Sequence, residues 1–258
     1  MIGAIVGDVV GSAYEFRPIR HKQFPWFVQG CGITDDTLCT VAIADALLNQ
    51  RNPAEALRWW AFQDFKLKGG YGKRFIMWLG TPDAPGYGSF GNGGAMRVSP
   101  VAWLARNEND LMDTAIRVTE VSHNHPEGIK GACATALSIW LARQGYAVET
   151  IRTEIETRFD YDLHRTVDAI RPGYKRTETA PGSVPESIIC ALEASSFEDA
   201  VRNAVSLGGD ADTMASIAGS IAEARFGVPA EDTQRVWGLL PEPMQDIVTQ
   251  FWRVSHGF

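Results

Sequence analysis

The chain has 258 residues, 45% of them hydrophobic and 21% charged, with a formal net charge of −7. These proportions suit a globular protein of one large or two small domains with a substantial core. No apolar run approaches the ~18 residues of a membrane span, and the scattered Lys and Arg argue against a binder of nucleic-acid backbone.

Residues 2–14 read as a buried helix. Small and apolar residues dominate, strand alternation is absent, and Gly3, Gly7 and Gly11 recur every fourth position. One face of that helix is bare backbone, which permits close packing at some cost in helix propensity. The start Met1-Ile2-Gly3-Ala4-Ile5-Val6-Gly7-Asp8 lacks a basic region and meets an acid early, so it is not expected to be a signal peptide, and the expected address is the cytoplasm. Glu15 lies between Tyr14 and Phe16, either as a functional acid or as a surface residue beside two core aromatics. Residues 17–33, with Pro18, Pro25 and Gly30, read as a loop. Thr34 and Asp35 then open a helix through Leu38, Val41, Ala42 and Leu48, which Arg51-Asn52-Pro53 closes.

A second amphipathic helix is predicted within residues 54–80, through Leu57, Trp60 and Phe65, followed by the break Gly69-Gly70-Tyr71-Gly72. From Thr81 to Gly94, seven of fourteen residues are Gly or Pro, which rules out a regular element. Tyr87 and Phe90 within it argue for an ordered loop: close approach to a ligand phosphate, with rings to stack on a base, or a tight chain reversal. Helical pattern resumes at Ala95 with an interruption at Pro100, and again over 110–121. His123 and His125 in the following turn offer zinc no third soft ligand at a useful spacing; a hydrogen-bonding or stacking role suits His123 better, beside a plainly structural one. Further helices are predicted over 131–143 and 147–160, a loop over 170–185, and a helix opening near Ser183, Pro185 and Glu186. Another leads into Gly208-Gly209-Asp210-Ala211-Asp212-Thr213, after which apolar positions keep helical spacing until Gly227 and Pro229. Residues 231–258 read as a capping segment. The reading is an all-α, compact, single-domain, multi-helix fold over 1–258.

The four cysteines, Cys31, Cys39, Cys133 and Cys190, show neither C-x-x-C spacing nor a His at zinc-finger distance, and read as reduced core residues. Two acidic clusters bear the chemistry. Thr34-Asp35-Asp36-Thr37 and Asp210-Ala211-Asp212-Thr213 each set two carboxylates and a hydroxyl at a helix start. Helix capping explains either pair alone, because the dipole favours anions there. Taken together with Glu15, these are the hard oxygen donors that Mg²⁺, Mn²⁺ or Ca²⁺ requires. Five carboxylates crowded without cations would raise one another's pKa, whereas two divalent ions nearly balance them. We therefore read the clusters as halves of one dinuclear site, with Gly208 and Gly209 giving the backbone room to turn.

At these residues the chain resembles a known family, the ADP-ribosylglycohydrolases (dinitrogenase-reductase-activating-glycohydrolase-like, or ARH). The matching stretches are Gly3 to Asp8 through Gly11 to Glu15, Thr34 to Thr37, Gly91-Asn92-Gly93-Gly94-Ala95-Met96-Arg97, His123, and Gly208 to Thr213, in the family's order. The resemblance implies an all-helical ADP-ribosylglycohydrolase-like fold with a cleft over two Mg²⁺ ions, with Mn²⁺ as a substitute. It implies Thr34, Asp35, Asp36, Asp210, Asp212 and Thr213 as ligands, and Glu15 with Asp36 as the candidates for catalysis. Substrate contacts are implied for Glu15, Gly91, Asn92, Gly93, Gly94, Met96 and His123, and more weakly for Phe90 and Tyr87. The implied reaction is hydrolysis of the bond between C1 of the distal ribose and an acceptor, with oxocarbenium character and water attacking C1. The substrate would be an ADP-ribosylated protein side chain such as arginine or serine, an ADP-ribosylated nucleic acid, or a small conjugate such as O-acetyl-ADP-ribose, with ADP-ribose as product. Ala211 departs from the small hydroxyl residue many members have between the two acids, and Thr177 to Gly182 matches no family pattern. A non-catalytic ADP-ribose binder or crystallin-like relative is the alternative. A phosphatase-like metallo-hydrolase is a third reading, weakened by the scarcity of His ligands.

Overall fold

The computed structural model describes residues 1–257; Phe258, the last residue of the predicted domain and capping segment, lies outside the described residues. Helix α1 (Ile2–Gly11) ends in a turn that carries Glu15. Helix α2 (Asp35–Leu48) starts where the sequence places it, because the Thr34 side chain accepts the Asp36 N–H. Asn52 caps α3 (Pro53–Ala61) in the same way, with Pro53 in its first turn. The Gly-rich break leads into a short helix missing from the sequence reading, α4 (Lys73–Leu79).

The predicted helix interrupted at Pro100 is two helices, α5 (Gly93–Met96) and α6 (Ser99–Leu104), and Pro100 sits in the first turn of the second, where its missing N–H costs nothing. Then follow α7 (Glu108–Glu120) and α8 (Pro126–Arg143), which His125 caps through Nδ1, so the helix begins five residues before the predicted start. After α9 (Val148–Phe159) the predicted loop is broken at both ends, by α10 (Val167–Ile170) and by the early start of α11 (Ala180–Glu193). Pro185 lies inside α11 and does not open it: the first N–H of the helix, Ala180's, is bonded to Phe90 O at 2.8 Å. The chain closes with α12 (Phe197–Ser206), α13 (Ala211–Phe226), α14 (Ala230–Trp237) and α15 (Glu242–His256). Among the described residues there is no β-strand, only an isolated bridge between Gly91 and Thr179. The all-α reading is borne out.

Helix α13 is the axis of the molecule. Every residue from Ala211 to Ala222 is buried, small and polar ones included, and α1, α8, α11 and α12 pack around it. The glycine face of α1 lies on α13: a Cβ on Gly7 would fall 2.0 Å from Ala215 O, and one on Gly3 2.3 Å from Gly219 O. No side chain fits there, so the bare face lets the two backbones touch. That contact sets the first turn of α13 beside the end of α1, and α2 packs against both. Gly208, at φ +66°, makes the left-handed turn that enters α13.

Candidate active site

Asp8 organises the junction. It is fully buried in an otherwise apolar helix, and it accepts four bonds from the start of α2. Its Oδ2 takes Thr34 N at 2.9 Å, Thr37 N at 3.1 Å and the Thr37 hydroxyl, while Oδ1 takes Thr34 Oγ1 at 2.7 Å. Burial pushes the Asp8 carboxyl up to about 6, against the lowering effect of those bonds. The carboxylate thus clamps α1 to the N-terminus of α2, where the helix dipole also favours it. The sequence reading gave Asp8 no role, although an acid within a Gly- and Val-rich helix was the signal for one.

The two acidic clusters meet. Thr213 Oγ1 donates to Asp36 Oδ1 at 3.3 Å across 177 positions of sequence. Asp36 is 2% exposed, and its Oδ2 is buried with no hydrogen-bond partner. Asp212 Oδ1 accepts Thr213 N at 2.9 Å. Oxygens of Glu15, Asp210 and Asp212 lie within 4.8 Å of one another. Burial first, then the charges of Asp212 and Asp8, holds the Asp36 carboxyl well above the usual carboxylate range. For Asp35, burial and then Asp8 raise it to about 7. For Asp212, burial and then Asp210 and Glu15 act in the same direction. An oxygen-only donor set with an unsatisfied buried oxygen fits a hard divalent cation. Thr34 Oγ1 donates to Asp8 and accepts from Asp36 N at 3.1 Å, which leaves one lone pair for a ligand role.

Asp210 is held from two sides, by Asn92 Nδ2 at 2.8 Å and by Arg176 Nη2 at 3.3 Å. Arg176 also donates to Glu15 Oε1 at 2.9 Å and to Glu178 at 3.3 Å, and its guanidinium lies over Phe16. Burial and then the Asp210 charge raise the Glu15 carboxyl, while Arg176 opposes them. Arg176 is in the loop where the sequence had no legible pattern, and nothing in its spacing marked it. The loop is tied to the Gly-rich segment by the Gly91–Thr179 bridge and by Asn92 N donating to Glu178 O at 2.9 Å.

These groups form one end of a cleft of about 560 Å³, within the usual size range of ligand sites. Glu15, Asp35, Asp36, Asp210, Asp212 and Thr213 line it, as do Gly91, Asn92, Gly93, Met96 and His123 of the expected substrate contacts. Lys73 and Arg74 at the start of α4 add positive charge to its wall, which the scattered basic residues did not reveal. Tyr87 lines the cleft too, with its ring 5.9 Å from His123. Thr34, Gly94 and Phe90 are not on its surface. Thr34 is wholly buried beneath the acids, Gly94 packs against the Thr119 side chain, and Phe90 is 45% exposed with its ring on His125. His125 accepts the Glu127 N–H through Nδ1 at 3.1 Å and so caps α8.

Comparison with known proteins gives the family. A model described as ADP-ribosylglycohydrolase matches residues 1–252. The chain belongs to the ADP-ribosylglycohydrolase family. Within it, the chain is 26% identical to ADP-ribosylhydrolase ARH3 of Danio rerio, over 88% of this chain and 82% of that protein. It is 25% identical to ADP-ribosylarginine hydrolase Tri1 of Pseudomonas putida (strain GB-1), over 92% and 72%. A solved structure titled ADP-ribosylglycohydrolase-related protein complex superposes with a TM-score of 0.69 at 25% identity, covering 98% of this chain and 97% of that one. The expected family and fold are therefore borne out. Among the described residues, no helix of this family member is long and apolar enough to cross a membrane.

Proposed function

We propose that this ADP-ribosylglycohydrolase is a Mg²⁺-dependent hydrolase that releases ADP-ribose from an ADP-ribosylated protein side chain or small conjugate. The observation that supports it best is the convergence of Asp35, Asp36, Asp210, Asp212 and Thr213, with Asp36 Oδ2 buried and unpartnered at their centre. Those five residues, with Thr34 beneath, would hold two Mg²⁺ ions, for which Mn²⁺ could substitute. Bound there, the ions would supply Lewis-acid chemistry at the distal ribose. Asn92, bonded to both Asp210 and Ser183, holds the loop wall against the acids. His123 and the Gly91–Gly93 backbone line the path of the diphosphate. Glu15, at the cleft surface with Arg176 on Oε1, moves the proton at the acceptor or at the attacking water. Of the two catalytic candidates, Glu15 suits proton transfer and Asp36, deeper, suits holding an ion.

The relatives' names support a glycosidic ADP-ribosyl bond, since they are an ADP-ribosylhydrolase and an ADP-ribosylarginine hydrolase. A complete set of acids favours hydrolysis over the crystallin-like, binding-only alternative. The reading also takes the chain as one domain, consistent with its single continuous core, and as cytoplasmic, consistent with four free thiols. Incubation with ADP-ribosylated arginine, with ADP-ribosylserine and with O-acetyl-ADP-ribose tests the proposal. ADP-ribose is expected from at least one of them with Mg²⁺ and from none with EDTA. Binding of ADP-ribose without release from any of the three would favour the non-catalytic alternative.

A further inference from the structure

Away from the acids, two residues of the cleft lining, Arg97 and His123, are joined through Ser122 behind them. Arg97, just past α5, is fully buried, and among the described residues no carboxylate pairs with it. Its Nη2 donates to Ser122 Oγ at 2.7 Å and to Val118 O at 3.4 Å. Ser122 is fully buried as well, and its Oγ lies 2.9 Å from His123 Nδ1. The Nε2 side of the ring faces the glycine loop, where a Cβ on Gly93 would come within 2.8 Å of Nε2. Among the described residues Nε2 has no hydrogen-bond partner.

The donor inventory settles the direction of this chain. A guanidinium only donates, so Ser122 Oγ accepts from Arg97. The Ser122 hydroxyl hydrogen then needs an acceptor, and among the described residues His123 Nδ1 is the one within reach. Were Nδ1 protonated instead, it would donate to Oγ and strand the Ser122 hydrogen in a buried site, which costs its full desolvation. We propose that Arg97 is a positioning residue that, through Ser122, fixes His123 as the Nε2–H tautomer, so that the cleft wall presents an N–H donor beside Gly91–Gly93. Its ligand is an oxygen acceptor, which under the function proposed above is a phosphate oxygen of the ADP-ribosyl group. Burial first, then the charges of Arg97 and Arg74, lowers the His123 pKa well below its usual value, in keeping with a neutral ring that has one donor and one acceptor.

Long-range ¹⁵N–¹H spectra of the imidazoles in the full-length protein read the tautomer directly. The wild type is expected to show His123 with protonated Nε2 and unprotonated Nδ1. Ser122→Ala removes the relay, so its two nitrogen shifts should converge as tautomers mix, and ADP-ribose affinity should fall about tenfold. Ser122→Thr keeps the hydroxyl and should restore both readouts, which a purely structural loss would not predict. A protonated Nδ1 in the wild type, or an unchanged Nε2–H tautomer in Ser122→Ala, would overturn the proposal. The spectra need no ligand, so a wild type that shows the Nε2–H tautomer but fails to bind ADP-ribose supports the relay and counts against the proposed function.

Discussion

Replacing Asp36 with Ala is expected to lower ADP-ribose release by about three orders of magnitude or more while the protein stays folded. Three observations converge on this residue. It sits between the two acidic helix starts, with Thr213 on Oδ1 at 3.3 Å; its Oδ2 is buried without a partner; and its carboxyl is raised by burial and by Asp212. Removing it takes away the oxygens most enclosed by the site. A preorganised electrostatic contact of that kind is worth roughly 10²–10³ in rate on its own, and more if an ion is lost with it. The fold should survive because the α2 cap depends on the Thr34 side chain and the Asp8 clamp, both of which the substitution leaves in place. Turnover and a circular-dichroism melt in EDTA check both halves. At a pH where the acid is ionised, the variant should melt at or above the wild type, since it removes a buried carboxylate that no cationic side chain pairs with among the described residues. A rate within tenfold of wild type would remove Asp36 from the centre.

The second large effect links pH, metal and stability. The folded state raises Asp8 to about 6 and Asp35 to about 7, and moves Asp36 and Asp212 in the same direction, whereas an unfolded Asp titrates near ~3.9. A raised carboxyl binds its proton more tightly when folded, so its contribution to stability is full below the unfolded value and is lost as pH rises through the folded value. Metal-free protein should therefore lose several degrees of Tm between about pH 4 and pH 7 as these acids ionise. Added Mg²⁺ should restore it, with a larger gain at pH 8 than at pH 5, because binding requires the ionised acids and releases their protons. Calorimetric titration of Mg²⁺ in two buffers of different ionisation enthalpy reads that release. A metal-free Tm that rises from pH 5 to pH 8 would contradict the electrostatic picture of the site.

The parts of the fold that depend on local chemistry were legible in the sequence. Thr34 before Asp35 is an N-cap wherever the chain goes, and the apolar spacing after Asp212 survives because α13 is buried on all sides. The Gly3, Gly7 and Gly11 face announced close packing but could not say against what. Its partner, Ala211 to Gly219, is some two hundred positions away, and the site forms only once those faces touch. The two acidic clusters were thus readable as chemistry, while their meeting was a matter of tertiary packing. Short α4 follows a Gly-rich break that masks its start, and α11 contains Pro185, which local rules treat as a boundary. Asp8 was visible as a misplaced charge but not as a clamp. Arg176 was not legible at all, because two of its three acidic partners, Glu15 and Asp210, come from distant stretches of the chain.

In the proposed site the acids of α2 and α13 hold a pair of divalent ions between them. Titration with Mn²⁺, followed by electron paramagnetic resonance, reads that pair, because neighbouring Mn²⁺ ions broaden and couple one another's spectra. Two ions per chain are expected, with a coupled signal that Asp36→Ala and Asp212→Ala each abolish. An uncoupled single ion, or a coupled pair that persists in both variants, would contradict it.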